Sequence, residues 1–576
     1  MQKPSIKFPY GISNFEQLTT ENYVFVDKTP FVELLEAEER YSVFLRPRRM
    51  GKSLLVSILE YYYDILEKDK FEKLFSKYYI GQNPTPKANA YRVLKFDFSG
   101  IDSRTEAETH SFFLDKIRMG MHSFMHRYNL LDDAGRELVL TGSSPGQVMS
   151  RFFESLNLWK EKTGDELPIF LLIDEYDHFT NEILIRDLTE FQSSVSQDGY
   201  VRKFYETIKI ATQQGFVDRF FITGVSPITL DGLTSGFNIV KHLTGKEEFH
   251  DMMGFSEPEV EDLLDSVLED KSRLPVIMQD LKLWYNGYRF NAVTAGTVYN
   301  SDMVLYFLDN FKRNQKYPQQ MLDPNIMPDY GKIKALFKVA NYIENTEVLE
   351  AVLKNGEISS KLIYQFSFSQ PFDKIAFVNL LYYMGNLTLK GMNEYGMPLF
   401  VIPNYVIKDL FWQYYAFVLQ EKADLIYDAS KVRDAMLSTA AGDIGPFLLL
   451  VQKLLQVYSN RDFQRFDEKY VKGIIMAYAF QAEFYMVRSE REVTNDGYLD
   501  IELLQHPANQ GRPHQYVIEL KYLKQGEADK LESTMLAAKT QLQGYLAVDE
   551  TLQNLPRLKA IAIVVVKDVL HWELVE

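Results

Sequence analysis

The chain has 576 residues and a net charge of −16, with 63 Lys and Arg against 79 Asp and Glu. This length predicts two to four domains, and the acidic balance excludes a general nucleic-acid coat protein, because such proteins neutralise phosphates with surplus positive charge. The sequence contains no Cys, which excludes disulfides, Fe–S clusters and Cys nucleophiles.

The longest apolar runs, such as 168–173 and 560–566, have the length of strands. They fall far short of the roughly 20 residues that a membrane-spanning helix needs. We therefore expect a cytoplasmic protein, of bacterial origin, with no membrane partner.

The first 255 residues alternate short apolar runs with helical patterns. Four runs are mostly apolar along their length rather than alternating, which is typical of strands buried on both faces of a parallel sheet. They lie at 41–45, 91–98, 168–174 and 219–224. Helical stretches such as 52–68 and 202–214 lie between them, so the pattern predicts an α/β domain.

The rest of the chain predicts two further domains. Residues 256–430 are mainly helical in pattern, with an interruption rich in Asn and Gly at 385–397. A helical segment at 447–480 leads into strands near 484–488, 498–503, 515–521 and 560–566, with a helix over 528–547. We predict domains at 1–255, 256–430 and 431–576.

A candidate phosphate loop lies at YSVFLRPRRMGKSLL (41–55), which reads as strand, loop and helix start. Gly51, Lys52 and Ser53 suit a loop whose backbone amides, lysine and hydroxyl bind phosphates and Mg²⁺. Arg46 stands where the usual pattern has its first Gly. From this pattern alone, a phosphate loop and an ordinary helix start with a solvated Lys52 remain equally open.

The apolar run PIFLLIDEYD (168–177) favours the phosphate loop, because it ends in Asp174 and Glu175. In P-loop enzymes an Asp at this place holds Mg²⁺ and the next Glu polarises the attacking water. The next apolar run, RFFITGVSPI (219–228), ends in Thr223 and Ser226, which either sense a phosphate or cap a loop, and we prefer loop capping. Arg219 is a further phosphate-binding candidate.

Five segments together resemble the bacterial AAA-ATPase-like family, over roughly residues 5–290. They are YVFVDKTPFVELL (23–35), RPRRMGKSLL (46–55), LLIDEYD (171–177), FITGVSP (221–227) and LWYNGYRF (283–290). The resemblance makes Arg46 the family's own variant of the loop. It implies ATP bound with Mg²⁺, a catalytic role for Glu175 and metal ligation by Ser53 and Asp174. The ATP-binding residues that we expect are Arg49, Gly51, Lys52, Ser53, Leu54 and Asp174. Local packing is preferred over a pocket role for Asp27, Lys28, Tyr285, Tyr288 and Arg289.

A second candidate site lies near the C-terminus. Asp500 follows a turn that contains Gly497, and Glu519 and Lys521 lie two apart in the next predicted strand, on one face. Two carboxylates and a Lys suit metal-assisted phosphodiester hydrolysis. Glu-x-Lys is also a common surface ion pair, but QYVIELKYL (515–523) is apolar on both faces, where an unused pair would be costly. We therefore favour a site.

Residues 470–566 resemble the PD-(D/E)XK nuclease superfamily. Its pattern has an acid on a leading helix, then GRxD, then E-x-K, then a helix with Gln and Tyr. The counterparts are Glu483, the segment 497–500, the segment 519–521, and Gln541 with Tyr545. Tyr498 stands where the family usually has Arg. The resemblance implies Mg²⁺ or Mn²⁺ on Asp500 and Glu519. The catalytic residues that it implies here are Asp500, Glu519, Lys521, Glu483 and Gln541.

The two resemblances together predict an α/β protein: an N-terminal AAA-like P-loop ATPase domain, a helical middle and a C-terminal restriction-endonuclease-like domain. The function that we expect is an ATP-regulated, metal-dependent nuclease acting on DNA or RNA. The alternative is an ATP-binding switch or interaction protein whose nuclease fold does not cleave. Residues 471–576 carry 11 Lys and Arg against 15 Asp and Glu, which favours the alternative, as Tyr498 does. The oligomeric state stays open.

Overall fold

A computed structural model of the chain describes residues 6–575 apart from 39, 102–103, 196–198, 229–236, 326–332, 365, 367–371, 424–428, 460–466, 483, 495–496, 510 and 512. The described residues form two compact units. The first unit draws on 6–315, 333–348 and 357–404, and the second on 316–325, 349–356 and 405–575. The three-domain division stays a prediction.

The first unit is built on a parallel five-stranded sheet of order β2-β3-β4-β1-β5. Its strands are β1 (Tyr41–Leu45), β2 (Arg92–Asp97), β3 (Ile169–Asp174), β4 (Val217–Gly224) and β5 (Lys241–His242). The first four were predicted, and β3 is buried at every residue. Because the strands are parallel, their carboxyl ends meet at one edge of the sheet, where ligands bind in open α/β sheets.

Helices surround this sheet and extend the unit. They are Phe15–Thr20, Pro30–Ala37, Lys52–Tyr63, Phe71–Phe75, Tyr79–Gln82, Glu106–Arg127, Asp133–Leu140, Pro145–Thr163, His178–Arg186, Leu188–Val195, Tyr200–Gln213, Glu257–Val267, Leu274–Tyr285, Ser301–Asn314, Ile333–Phe337 and Lys374–Tyr383. Three 3₁₀ turns lie at Ile65–Lys70, Glu247–Phe249 and Lys271–Arg273. The helix Tyr342–Asn355 begins in the first unit and ends in the second.

The interruption expected at 385–397 is a β-hairpin. Strands β7 (Thr388–Met392) and β8 (Pro398–Val401) pair antiparallel, and β6 (Glu357–Ser359) joins the other edge of β8. Asn393 and Gly396 lie in the connection between the two strands, where the Asn393 side chain accepts hydrogen bonds from the backbone N–H groups of Tyr395 and Met397.

The second unit contains a five-stranded sheet of order β13-β12-β11-β10-β9. Its strands are β9 (Tyr485–Thr494), β10 (Gly497–Gln505), β11 (Gln515–Leu523), β12 (Leu558–Val566) and β13 (Val569–Val575). Only β11 and β12 are parallel. The helix Leu531–Val548 makes the crossover between them and buries Ala538 and Leu542 against the sheet. The mostly exposed edge strand β13 was not predicted.

The remaining elements of this unit are helical. They are Tyr405–Ala423, Ala429–Ala441, Gly445–Ser459, Glu468–Ala479 and Glu550–Gln553, with a 3₁₀ turn at Gln525–Lys530. Within the described part of the chain, we find no helix whose length and hydropathy would let it span a membrane.

Candidate functional site

The predicted phosphate loop connects β1 to the helix Lys52–Tyr63. Gly51 precedes that helix with φ of +95°, a left-handed conformation that glycine adopts most readily. The Lys52 side chain is buried, and its Nζ donates to the carbonyl oxygens of Arg46 (3.1 Å) and Pro47 (2.9 Å). Burial lowers the pKa of Lys52, although the negative charges of Glu175 and Asp174 act to raise it. A solvated Lys52, the alternative that the pattern left open, is therefore wrong.

Arg46 holds the start of the loop in place. Its guanidinium is buried, lies 4.0 Å from the ring centroids of both Phe44 and Phe290, and has a pKa lowered by burial to about 9. It donates hydrogen bonds to the carbonyl oxygens of Leu45, Thr244, Phe249 and His250. The side chain therefore ties β1 to distant segments and leaves phosphate contacts to the residues after it.

Carboxylates gather beside the loop at the carboxyl edge of the sheet. Asp174 ends β3, is 4% exposed and accepts a hydrogen bond from the Ser53 hydroxyl. Burial raises the pKa of Asp174, and the charges of Glu175 and Asp97 raise it further, against the Ser53 hydrogen bond and the charge of Lys52. Sequence reasoning missed Asp97, which ends β2 in register with Asp174. Its position at the end of a predicted strand was the signal that could have found it.

These oxygen donors fit Mg²⁺ bound together with a phosphate. In the described residues there is no group of three or more His, Asp or Glu arranged to hold a metal alone. Mg²⁺ commonly takes one or two protein carboxylates and completes its shell with substrate phosphates and water. Ser53 and Asp174, hydrogen-bonded to each other near Lys52, match that requirement.

A cavity of about 320 Å³ adjoins the loop. The expected ATP-binding residues Arg49, Gly51, Lys52, Ser53 and Leu54 line it together with Glu175. Most of the remaining lining is apolar and comes from segments 9–13 and 252–255, which sequence reasoning did not single out, and from 24–26, within the segment 23–35 of the first resemblance. Arg49 is also paired with Asp302, with Nη1 and Oδ2 3.1 Å apart. A concave, largely apolar space beside a phosphate loop is suited to a nucleobase and its ribose.

Several other candidates have local roles. The Thr223 hydroxyl donates to the Phe44 carbonyl, and the Ser226 hydroxyl is bonded to Asp177 and Asn181. The Ser226 bonds agree with loop capping, whereas Thr223 lies within β4 and bonds across to the paired strand β1, so loop capping is wrong for Thr223. Arg219 lies near the amino end of β4 and donates to backbone carbonyls of residues 35, 36 and 38. It therefore lies at the edge of the sheet opposite Asp174, and its candidacy for phosphate binding is wrong.

The residues named from the first and last segments of the AAA-ATPase-like resemblance, 23–35 and 283–290, also pack locally. The Asp27 carboxylate accepts from Thr29, and Lys28 reaches the cavity but is paired with Glu259 at 2.7 Å. Tyr285 and Tyr288 are buried, and Arg289 donates to backbone carbonyls. The Gly in LWYNGYRF has a physical reason, because a Cβ on Gly287 would lie 1.9 Å from the carbonyl oxygen of Pro403.

In the second unit, Asp500 and Glu519 lie on paired strands. Strand β10 pairs with β11 through Ile501 and Ile518, so Asp500 and Glu519 follow as the next opposing residues. An Asp500 oxygen accepts a hydrogen bond from the backbone N–H of Leu520 at 2.8 Å. The sheet therefore brings the two predicted metal ligands together.

Glu519 is a buried carboxylate, and one of its two oxygens is available to a ligand. Its side chain is 1% exposed; Oε1 accepts from Lys521 at 2.6 Å, and Oε2 has no partner among the described residues. Burial raises the pKa of Glu519 to about 7, with a further contribution from the charge of Asp500. Burial by itself lowers the pKa of Lys521. The negative charges of Glu519 and Asp500 raise it by more, so the pKa of Lys521 lies above its ordinary value. A buried, unsatisfied carboxylate oxygen beside a second carboxylate fits a divalent cation.

The structure offers a different helical acid from the one predicted. Glu483 lies outside the described residues, and the leading helix ends at Ala479. Glu468, in the first turn of that helix, interacts electrostatically with Lys521 and Asp500. Burial raises the pKa of Glu468, while the charge of Lys521 lowers it. Glu468 was missed because its short sequence context, DEKYV, carries no distinctive pattern.

Gln541 and Tyr545 lie on the crossover helix, as predicted, one turn apart. The Gln541 amide donates to the Tyr545 hydroxyl at 2.7 Å, and the Tyr545 ring packs in the core of the sheet. Tyr498, at the position of the family Arg, is 51% exposed on β10. It contributes an aromatic surface where the family usually has a positive charge.

Comparison with known proteins confirms both resemblances. Residues 9–234 match the family described as "Predicted AAA-ATPase", and residues 466–572 match the PD-(D/E)XK nuclease superfamily. A protein of Azotobacter chroococcum mcd 1, described as "Uncharacterized protein in vnfD 5'region", is 22% identical over 360 residues. That alignment covers 62% of this chain and 62% of the relative, so the chain spans about three-fifths of the relative's length. The chain thus carries an ATPase-like region followed by a nuclease-like region.

Proposed function

We propose that the chain is an ATP-regulated phosphodiesterase that cleaves DNA or RNA with Mg²⁺ or Mn²⁺ in its second unit. The observation that carries this proposal is the buried Glu519, whose Oε2 has no partner among the described residues, beside Asp500 and Lys521. A buried carboxylate with an unpaired oxygen costs folding free energy. A bound divalent cation would pair with that oxygen and offset the cost.

The residues of this site have complementary roles. Asp500 and Glu519 hold the cation, which when bound supplies a polarised water and neutralises charge on the phosphate. Lys521 places a positive charge beside the phosphate that is attacked and stabilises the negative charge developing there. Because the pKa of Glu519 lies near 7, this carboxyl gives up its proton when the cation binds.

The first unit binds ATP in this proposal. Backbone amides after Gly51 and the Nζ of Lys52 bind the phosphates, with Lys52 exchanging its loop carbonyls for phosphate oxygens. Ser53 and Asp174 hold Mg²⁺, and Glu175 orients a water. The apolar cavity of about 320 Å³ accommodates the base and the ribose.

The test is a cleavage assay of the full chain on plasmid, single-stranded DNA and RNA, in Mn²⁺ or Mg²⁺, with and without ATP. We expect Glu519→Gln to abolish metal-dependent cleavage, and Lys52→Ala to remove its dependence on ATP. Glu573→Gln is the matched control, because Glu573 is a surface carboxylate of the same sheet, paired with Lys539 at 2.9 Å. Cleavage that survives in Glu519→Gln contradicts the proposal.

The second candidate is an ATP-dependent switch or interaction protein whose nuclease fold binds but does not cleave. Two observations favour it: the exposed Tyr498 in place of an Arg, and the acidic balance of residues 471–576. A folded wild-type chain that binds ATP and cleaves none of the substrates supports this candidate.

A further inference from the structure

A basic cluster lies beside Asp500, and part of it comes from outside the nuclease-like region. Lys472 lies on the helix Glu468–Ala479 and Arg488 on β9, both within residues 466–572. Lys408 lies on the helix Tyr405–Ala423, which precedes that region. Nothing in the nuclease pattern therefore assigns a role to Lys408.

The position of Lys408 follows from the packing of its helix. Tyr405 accepts a hydrogen bond from the backbone N–H of Val487 on β9 at 2.6 Å. The same helix packs against Glu468–Ala479, with Trp412 stacked on Phe480. Residues three apart share a face of a helix, so Lys408 faces the same side as Tyr405, toward Lys472 and Arg488, with which it interacts electrostatically.

The three cations of this cluster differ in how carboxylates pair with them. Lys472 is bound by Glu490 at 3.0 Å and by Asp500 at 3.5 Å. Lys408, in contrast, makes no ion pair with any residue that the structure describes. Burial, followed by the charges of Lys472 and Arg488, lowers the pKa of Lys408 to about 8, against the negative charge of Glu490, which raises it.

Arg488 is similarly short of anionic partners. Its Nε is buried without a hydrogen-bond acceptor in the described part of the chain, and Nη2 contacts the Met486 Sδ at 3.8 Å. Buried cationic donors without acceptors are costly, and phosphate oxygens are the anionic acceptors that Arg and Lys bind best.

Glu490 shows where an anion binds in this cluster. Its side chain is 61% exposed, and its backbone is left-handed, with φ of +55°. The carboxylate that reaches Lys472 therefore comes from a solvent-facing side chain, which an incoming anion can displace.

We propose that Lys408, Lys472 and Arg488 form a binding site for a phosphate of a nucleic-acid strand, next to the phosphate that Asp500 and Glu519 address. This inference rests on the proposed function of the second unit. It assigns the helix Tyr405–Ala423 to substrate binding and gives an acidic chain a local site for a polyanion.

The test measures binding of short, 3′-labelled single-stranded DNA and RNA to the full chain, in a Ca²⁺ buffer in which the label stays intact. We expect Lys408→Met to weaken binding about tenfold and to lower the salt dependence by about one counterion. Lys408→Arg should restore binding. Glu490→Gln should tighten it, because a competing anion is removed.

Lys539→Met is the control for net charge, because Lys539 is paired with Glu573 on the surface of the same unit. Equal losses in Lys408→Met and Lys539→Met overturn the inference, as does a wild-type chain that binds none of the probes. Probes with and without a 5′-phosphate identify the bound group. An equal loss on both supports an internal phosphate, and a loss confined to the phosphorylated probe supports a terminal one.

Cleavage in Mn²⁺ separates this inference from the proposed nuclease. If the chain binds the probes through Lys408 but does not cleave them, the result supports the phosphate site and contradicts the proposed nuclease activity. If wild type and Lys408→Met cleave with the same KM, the result supports the nuclease activity and contradicts the phosphate site. We expect KM to rise about tenfold with kcat unchanged.

Discussion

Arg46 occupies the position at which phosphate loops usually begin with Gly, and its guanidinium donates to four backbone carbonyls between two Phe rings. Substitution to Gly would restore the general loop pattern but leave those buried carbonyls without donors. We expect Arg46→Gly to lower the free energy of unfolding by about 3 kcal/mol and to weaken ATP binding.

Urea unfolding and calorimetric ATP titration measure the two effects. Arg40→Gly is the control, since Arg40 is 65% exposed and its pair with Asp218 lies at the surface. It should cost under about 1 kcal/mol. An Arg46→Gly chain as stable as Arg40→Gly would show that the four carbonyl bonds contribute little.

Glu519 makes the stability of the metal-free chain depend on pH. Its pKa in the folded state, about 7, exceeds the ordinary value of 4.5, so the folded chain binds more protons than the unfolded one. The stabilisation is complete below pH 4.5 and is lost as the pH rises through 7.

We therefore expect Glu519→Gln to match wild type near pH 5 and to exceed its free energy of unfolding by about 2 kcal/mol at pH 8. Urea unfolding in a chelator measures this. If wild type gains stability relative to Glu519→Gln as the pH rises, the assigned direction of the pKa shift is wrong.

At the scale of elements, the helix Glu468–Ala479 carries an acid that interacts electrostatically with the predicted metal ligands Asp500 and Glu519. This acid is Glu468, in the first turn of the helix, and it also interacts with Lys521, whereas Glu483 lies outside the described residues. We expect Glu468→Gln to weaken Mn²⁺ binding about tenfold, the usual effect of removing an outer carboxylate.

Calorimetric titration of Mn²⁺ into Glu468→Gln and Glu483→Gln compares the two acids directly. A smaller effect of Glu483→Gln would assign the helical acid to Glu468. The reverse order would restore the residue that the superfamily pattern indicated.

At the scale of the whole molecule, the two sites belong to different compact units. Since a ligand stabilises the folded state that binds it, ATP with Mg²⁺ and Mn²⁺ alone should each raise the unfolding temperature of the chain. When the concentration of a ligand is a hundred times its Kd, its binding raises the free energy of unfolding by about 2.7 kcal/mol.

Scanning calorimetry of two variants separates the contributions. Lys52→Ala should lose the effect of ATP and keep that of Mn²⁺, and Glu519→Gln should do the reverse. Loss of both effects in Lys52→Ala would contradict the assignment of two independent sites.

The sequence alone determined the features that depend on neighbouring residues. Mostly apolar runs predicted four strands of the parallel sheet, Gly51-Lys52-Ser53 predicted the loop, and Glu519 with Lys521 predicted a shared face on β11. Each of these is a local pattern, because strand periodicity and turn chemistry act over a few residues. Order along the chain then sufficed to identify both regions.

Only the tertiary structure decided which distant residues join those patterns. Asp97 pairs in register with Asp174, Glu468 interacts electrostatically with Asp500 from the first turn of a helix, and Lys408 interacts electrostatically with Lys472. Tertiary structure also gave Arg46 its role, because three of its four carbonyl acceptors lie about 200 residues away. Register and packing arise from burial across the whole unit, so no local spacing in the sequence encodes them.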